Sequence, residues 1–175
     1  MRLFIAINFD QKMKDALEDL QEGLRARGIR GNYTRTENLH LTLAFIGEYK
    51  NPGIVLDILE GIPFEPFTVS LEGIRYFRDM IFADISPCPP LEKTVRELRR
   101  ALGRNDIPFD RKKFSPHITL VRKVSYSHDR PVLPSAASRQ GTMVDRISLM
   151  KSERGKKGMI YTELGSLGEE GVFLC

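Results

Sequence analysis

Two of the three histidines in this chain stand in the same setting: His40 opens the stretch "HLTLAF" and His117 opens "HITLVR". At ordinary residue usage, Thr two places and Leu three places after a histidine coincide for roughly one histidine in two hundred. An imidazole can give or take a proton near neutral pH, and each such role is worth about 10² to 10⁴ in rate. A threonine hydroxyl can donate to an oxygen on which negative charge collects. One strand carrying both groups is ordinary, but two such strands facing each other would hold an acid, a base and two hydroxyl donors.

On a strand, side chains alternate faces, so His40 and Thr42 share one face while Leu41 and Leu43 take the other, and His117 and Thr119 oppose Ile118 and Leu120 in the same way. This arrangement suits cleavage of a cyclic phosphate, which requires a proton taken from the attacking water and another given to the departing oxygen. Two histidines can divide that work without a metal. Neither motif carries a second His, Cys, Asp or Glu at i+2 to i+4, and Cys88 in "SPCPP" has no CxxC partner, so the spacing does not support a zinc site. No GxxxxGK[ST] or GxGxxG stretch asks for ATP or NAD. No cofactor is expected.

The surrounding pattern supplies the elements that would position these residues. "RLFIAIN" has the composition of a strand, and Asp10 stands where a helix N-cap belongs. Met13, Ala16, Leu17, Leu20 and Leu24 recur at helical spacing before Gly28, a natural stop. "NLHLTLAFIG" is a second strand, and "KNPGIVLDILEGIP" a helix with Pro52 early. "FTVSLEGIRYF" and "MIFADIS" are strands, a helix follows from about Pro90 with Leu91, Val95, Leu98 and Leu102 inward, and "SPHITLVRK" closes the series. "MVDRISLMKSERGKKGMIYTEL" fits two strands around a basic turn, and 127–141 a polar surface loop.

The strand, helix, strand order thus occurs twice. Ala6 precedes His40 by 34 residues and Ala83 precedes His117 by the same interval, which suggests two copies of one unit offset by 77. Two long units point to a pair of pseudo-symmetric lobes rather than to a solenoid.

At 175 residues the chain is expected to form a single bilobal domain, with 41% hydrophobic and 29% charged residues as in folded proteins. A net charge of +4 mildly favours a polyanion such as RNA. No run of 18 apolar residues exists, and the N-terminal apolar stretch is too short for a signal peptide. Two cysteines, Cys88 and Cys175, make no disulfide framework, so a cytoplasmic protein without membrane partners is expected.

With both motifs in hand, the chain resembles the two-histidine phosphoesterases, most closely their RNA 2′,3′-cyclic phosphodiesterase branch, also called 2′-5′ RNA ligases. The resemblance spans "RLFIAI", "ENLHLTLAFIGE", "GIRYF", "FSPHITLVR" and "GMIYTEL". The family's extended motifs, HxTxxF and HxTxxR, are met by His40, Thr42 and Phe45 and by His117, Thr119 and Arg122. The resemblance implies that His40 donates a proton to the leaving O3′ and that His117 accepts one from water. It implies further that Phe45 stacks on the terminal base and that Arg122 clamps the phosphate.

The expected architecture is α+β: two pseudo-symmetric lobes, each an antiparallel sheet with outer helices, and an active-site cleft between them. Phe45 and Arg122 stand five places after their histidines, so strict alternation would turn them away from that cleft. A bulge or a strand end just after Leu43 and Leu120 is therefore expected, with Gly47 easing the first. Tyr33, Phe77 and Tyr161 are candidate walls of a nucleotide site and equally suited to packing. Arg35, Arg154, Lys156 and Lys157 could meet an RNA backbone.

The expected activity is metal-independent hydrolysis of RNA 2′,3′-cyclic phosphate ends to 2′-phosphates, tRNA fragments being one source of such ends, together with reversible ATP-independent 2′-5′ RNA ligation. A phosphodiesterase of a small cyclic nucleotide and a non-catalytic RNA end-binding protein are the alternatives. A monomer is expected.

Overall fold

The structure, a computed structural model, describes residues 1–135 and 139–175. Strand β1 (Arg2–Asn8) leads into helix α1 (Gln11–Ala26), whose first turn is capped by the Asp10 carboxylate accepting from the Met13 amide at 2.8 Å. The short strand β2 (Arg30–Tyr33) and a single 3₁₀ turn (Thr36–Asn38) precede β3 (His40–Glu48) and α2 (Pro52–Glu60). Then come β4 (Phe67–Phe77), β5 (Met80–Ile85), α3 (Pro89–Arg104) and β6 (His117–Ser125). The chain ends with β7 (Gly141–Val144), β8 (Arg146–Gly155), β9 (Gly158–Gly168) and β10 (Gly171–Leu174). Of the loop expected over 127–141, residues 136–138 lie outside the described residues. Both cysteines are free, Cys88 buried and Cys175 exposed.

The strands form two five-stranded antiparallel sheets, ordered β10-β9-β8-β1-β3 and β2-β6-β5-β4-β7. This is the expected α+β architecture of two sheets, each containing one histidine strand. Neither sheet is drawn from one half of the chain, however. β2 crosses to pair with β6, and β8 to β10 return to β1. The stretch expected as two C-terminal strands is shared among three, since Met143 and Val144 belong to β7 on the other sheet.

Alternation along β1 sends Leu3, Ile5 and Ile7 into a core shared with α1 through Met13, Leu17, Leu20 and Leu24. In α3, Leu91, Val95, Leu98 and Leu102 enter that same cluster, so one core runs behind both sheets. The opposite face of β1 carries Phe4 and Ala6, which pack with Met150 and Tyr161 beside the cleft.

The matching intervals from Ala6 and Ala83 do not mark equivalent positions. Ala6 pairs with Thr42 on the cleft face, whereas Ala83 pairs with Ile118 and belongs to the core. The equivalent cleft positions are Asn8, across from His40, and Asp84, across from His117. The span from the cleft position to its histidine is one residue longer in the second unit, 33 residues from Asp84 to His117 against 32 from Asn8 to His40, and one residue along a strand exchanges its faces.

The bulges that Phe45 and Arg122 require are register shifts in the two ladders. Ala6 pairs with Thr42 and Ile5 with Ala44, leaving Leu43 as an extra residue; Phe82 pairs with Thr119 and Ile81 with Val121, leaving Leu120 extra. Leu43 and Ala44 are both buried, as are Leu120 and Val121, and the next residue in each strand emerges. Gly47, with φ +83°, belongs to a second irregularity further along β3 rather than to the first.

Each bulged carbonyl is held by a helix from the other unit. Gln21 of α1, 3% exposed, donates Nε2–H bonds to the Leu120 carbonyl at 3.0 Å and to the Thr34 carbonyl at 2.8 Å. Arg99 of α3 donates from Nε and Nη2 to the Leu43 carbonyl, both at 3.3 Å. A bulge frees backbone groups from the ladder, and buried ones need partners. The two helices supply them crosswise.

Candidate active site

The twin motifs face a cleft of about 610 Å³ between the sheets, lined by His40, Thr42, His117, Thr119 and Arg122 together with Tyr161. Each histidine opens its strand, where the chain turns into the ladder, and each is anchored in the same manner. The His40 Nδ1 lies 2.6 Å from the Asn38 carbonyl and the His117 Nδ1 lies 2.8 Å from the Ser115 carbonyl. A carbonyl only accepts, so Nδ1 carries the hydrogen in both rings, and Nε2 is the atom left for chemistry. In the neutral His40, the Thr42 hydroxyl donates to that Nε2 across 3.1 Å.

Aromatic rings hold the imidazoles differently in the two halves. Phe82 stacks on His117, with centroids 4.0 Å apart and planes 20° from parallel. His40 is wedged between Phe4 at 5.0 Å, tilted by 42°, and Tyr161 at 5.2 Å, edge-on at 84°. Tyr161 thus serves as a wall of the histidine pocket. The Asn38 side chain fixes the far end of this wall, its Nδ2 donating to the Met159 carbonyl at 2.9 Å.

Burial lowers the pKa of His40 below the ordinary 6.5; the hydrogen bond to Asn38 opposes this, while Arg122 and His117 add to it. His117 is lowered for the same leading reason, with Ser115 opposing, Arg75 and Arg122 lowering further and Asp84 raising. Arg75 Nε lies 2.9 and 3.0 Å from the two Asp84 carboxylate oxygens, so these opposed influences arrive together. Arg122 is exposed and pairs with no carboxylate among the described residues; its Nη1 donates to the Met80 sulfur at 3.6 Å. An anion drawn to its guanidinium would lie beside both imidazoles.

The other candidates separate. Phe45, 36% exposed, lines the two grooves that adjoin the cleft rather than the cleft proper, and the Arg2 guanidinium covers one face of its ring at 5.0 Å. Tyr33 lines the cleft, but its hydroxyl donates to the Ile29 carbonyl at 2.7 Å and its ring is covered by Arg25 at 3.9 Å. Phe77 lies in the groove beyond His117. Arg35 and Lys157 line the cleft, whereas Arg154 and Lys156 of the basic turn do not. Among the described residues, no group of three or more His, Cys, Asp or Glu side chains is placed to hold a metal ion, and no helix is long and apolar enough to cross a membrane.

The sequence patterns do not point to Asp84, Arg75, Phe82, Phe4, Asn8 or the Asn38 side chain. Asn8 and Asp84 do leave a trace, since each is a polar residue near the end of an apolar strand run, "FIAIN" and "IFAD". The anchoring carbonyls of Asn38 and Ser115 are backbone atoms and leave none.

A family model described as the 2′-5′ RNA ligase superfamily matches residues 10–156. A Thermotoga maritima protein named RNA 2′,3′-cyclic phosphodiesterase is 32% identical over 98% of this chain and 97% of its own length. A Thermus thermophilus protein of the same name is 31% identical, covering 98% of this chain and 91% of its own. Among solved structures, one from Thermus thermophilus superimposes with a TM-score of 0.80 at 29% identity, over 98% of this chain and 99% of that one. E. coli LigT complexed with 3′-AMP has the same fold, with a TM-score of 0.81 at 24% identity over 95% of this chain and 97% of its own.

Proposed function

The chain belongs to the 2′-5′ RNA ligase superfamily, and on that premise we propose that it hydrolyses RNA 2′,3′-cyclic phosphate ends to 2′-phosphates with its two histidines as acid and base. The observation that carries this reading is the paired anchoring of His40 and His117 at Nδ1, which leaves both Nε2 atoms for proton transfer at a cleft that also holds Arg122, paired with no carboxylate among the described residues.

In this mechanism the cyclic phosphodiester brings one negative charge to the Arg122 guanidinium, with Thr42 and Thr119 hydroxyls donating to its non-bridging oxygens. His117 Nε2 takes a proton from water as the water oxygen bonds to phosphorus. The bond from phosphorus to O3′ breaks, and the protonated His40 Nε2 gives its hydrogen to that oxygen. A 2′-phosphate and a 3′-hydroxyl remain. The Nδ1–H bonds to Asn38 and Ser115 persist through both transfers, so the rings need not turn. Phe45 offers its uncovered face to the terminal base. Replacing water by an RNA 5′-hydroxyl gives a 2′-5′ linkage by the same steps and needs no ATP, since the bond made resembles the strained ester consumed.

The test is a product assay on a short RNA ending in a 2′,3′-cyclic phosphate, in the presence of EDTA. The parent protein should yield a 2′-phosphate end, while His40→Ala and His117→Ala should each lose about 10² to 10⁴ in kcat. Turnover that appears only with an added divalent ion, or binding without turnover, would refute the proposal.

A further inference from the structure

The catalytic cleft continues past His117 into a second groove of about 440 Å³, and Thr42, Met80, Phe82 and His117 line both. This groove is aromatic and cationic together. Phe82, stacked on His117, is in turn stacked on Phe77 at 5.3 Å and 21°, so three rings form a ladder leading away from the reacting centre. Phe77 ends the ladder 42% exposed, with the Arg75 guanidinium over its ring at 5.7 Å. The Arg78 guanidinium also lies over that ring, 5.5 Å from its centroid, and Lys112 and Lys113 line the same groove. The carboxylate on this wall, Asp110, is already engaged by the Lys112 amide at 3.0 Å and its ammonium at 3.5 Å. Arg78 and Lys113 have no ion-pair partner among the described residues.

Arg78 is also held in an unfavourable backbone state. It sits in the two-residue turn between the paired Phe77 and Met80 with φ +55°, a conformation that glycine takes at no steric cost. The opposite exit of the cleft is less receptive. Arg35 there donates to the Met159 carbonyl at 3.1 Å and pairs with Glu37 at 3.3 Å, and the ring of Tyr33 is covered by Arg25.

We propose that this groove binds the nucleotide next to the cyclic-phosphate terminus, its base on Phe77 and its phosphate between Arg78 and Lys113. The inference rests on the function proposed above and extends it from an end chemistry to a chain preference. Stacked aromatic surface flanked by unpaired cations is how single-stranded nucleic acid is held without sequence selection. The ladder places Phe77 two ring contacts from the imidazole, with successive centroid separations of 4.0 and 5.3 Å.

The experiment compares a nucleoside 2′,3′-cyclic monophosphate with a dinucleotide carrying the same cyclic terminus, at several salt concentrations. The parent protein is expected to favour the dinucleotide by about tenfold or more in kcat/KM. This advantage should fall with salt, with a log–log slope of about −0.7 for the added phosphate contact. In Arg78→Gly the dinucleotide-to-monophosphate ratio should drop about tenfold, while the melting temperature holds or rises because the turn is relieved. Lys113→Ala should lower the same ratio. Equal use of both substrates by the parent, or a ratio untouched by both substitutions, would overturn the groove while leaving the end chemistry intact. Failure to turn over either substrate would refute the end chemistry and the groove with it.

Discussion

Asp84 stands directly across the β5–β6 ladder from His117, and Asn8 occupies the corresponding place across from His40. The twin motifs therefore meet different electrostatic surroundings. His117 has a carboxylate neighbour, itself paired with Arg75, while Asn8 gives His40 no charge and turns its amide toward the Met150 sulfur at 3.5 Å. In Asp84→Asn the influence that raises His117 is removed and Arg75 is left unpaired, so its pKa should fall further. The acid limb of the kcat/KM profile, set by the general base, should move to lower pH. The Arg75–Asp84 pair is partly exposed, so the stability cost should stay within about 1 kcal/mol. An unmoved acid limb would show that His117 is not the base.

Both imidazoles are lowered from 6.5 by burial. The base must be neutral and the acid protonated in the free enzyme, and both requirements are governed by groups that titrate below the usual imidazole range. A bell-shaped kcat/KM profile with its maximum below pH 6.5 is expected, with the two limbs belonging to the coupled pair. A maximum on the alkaline side would contradict the two-histidine assignment.

Gln21→Leu keeps the approximate volume and removes the amide that serves the Leu120 and Thr34 carbonyls. Leaving buried acceptors short of a partner should cost about 1–3 kcal/mol. The loss falls on the bulge that brings Arg122 to the cleft face, so KM for the cyclic phosphate should rise as well. Denaturant unfolding and steady-state kinetics on the same preparation would separate the two effects; a loss of stability with unchanged KM would show that the bulge holds without Gln21.

Gly31 lies where β2 crosses to β6, and a Cβ there would meet the Arg122 carbonyl at 2.7 Å and Val121 Cγ1 at 2.8 Å. Gly31→Ala must therefore push β2 off its partner. A loss of about 1–3 kcal/mol is expected from the overpacking, read as a lowered urea midpoint. An unaltered midpoint would mean that the edge strand contributes little.

Much of this arrangement was legible in the sequence because the signals were local. The period of α1 and α3 and the strands around both histidines could be read, and a bulge or strand end after Leu43 and Leu120 was implied by the resemblance, which needs Phe45 and Arg122 in a cleft that strict alternation denies them. What escaped depended on pairing between distant segments. β2 is four residues long with a glycine inside it, and nothing in "RGNY" says that its partner lies some ninety residues on. Likewise the equal spacing of Ala6 and Ala83 suggests symmetry but describes opposite faces, since which residue stands across from each histidine is set by a pairing that neither strand carries alone. The surroundings of the histidines, Asp84 above all, followed from that register.

The crossed supports of the two bulges bear on how such a molecule could have arisen. Gln21 belongs to the first strand-helix-strand unit and steadies the second, while Arg99 belongs to the second and steadies the first. A lone copy would lack the donor that seats its own bulge; two copies face to face would exchange it. The arrangement is that of an isologous dimer joined into one polypeptide. The exchange is not symmetric in chemistry, since an amide serves one bulge and a guanidinium the other, and a carboxylate stands across from only one histidine.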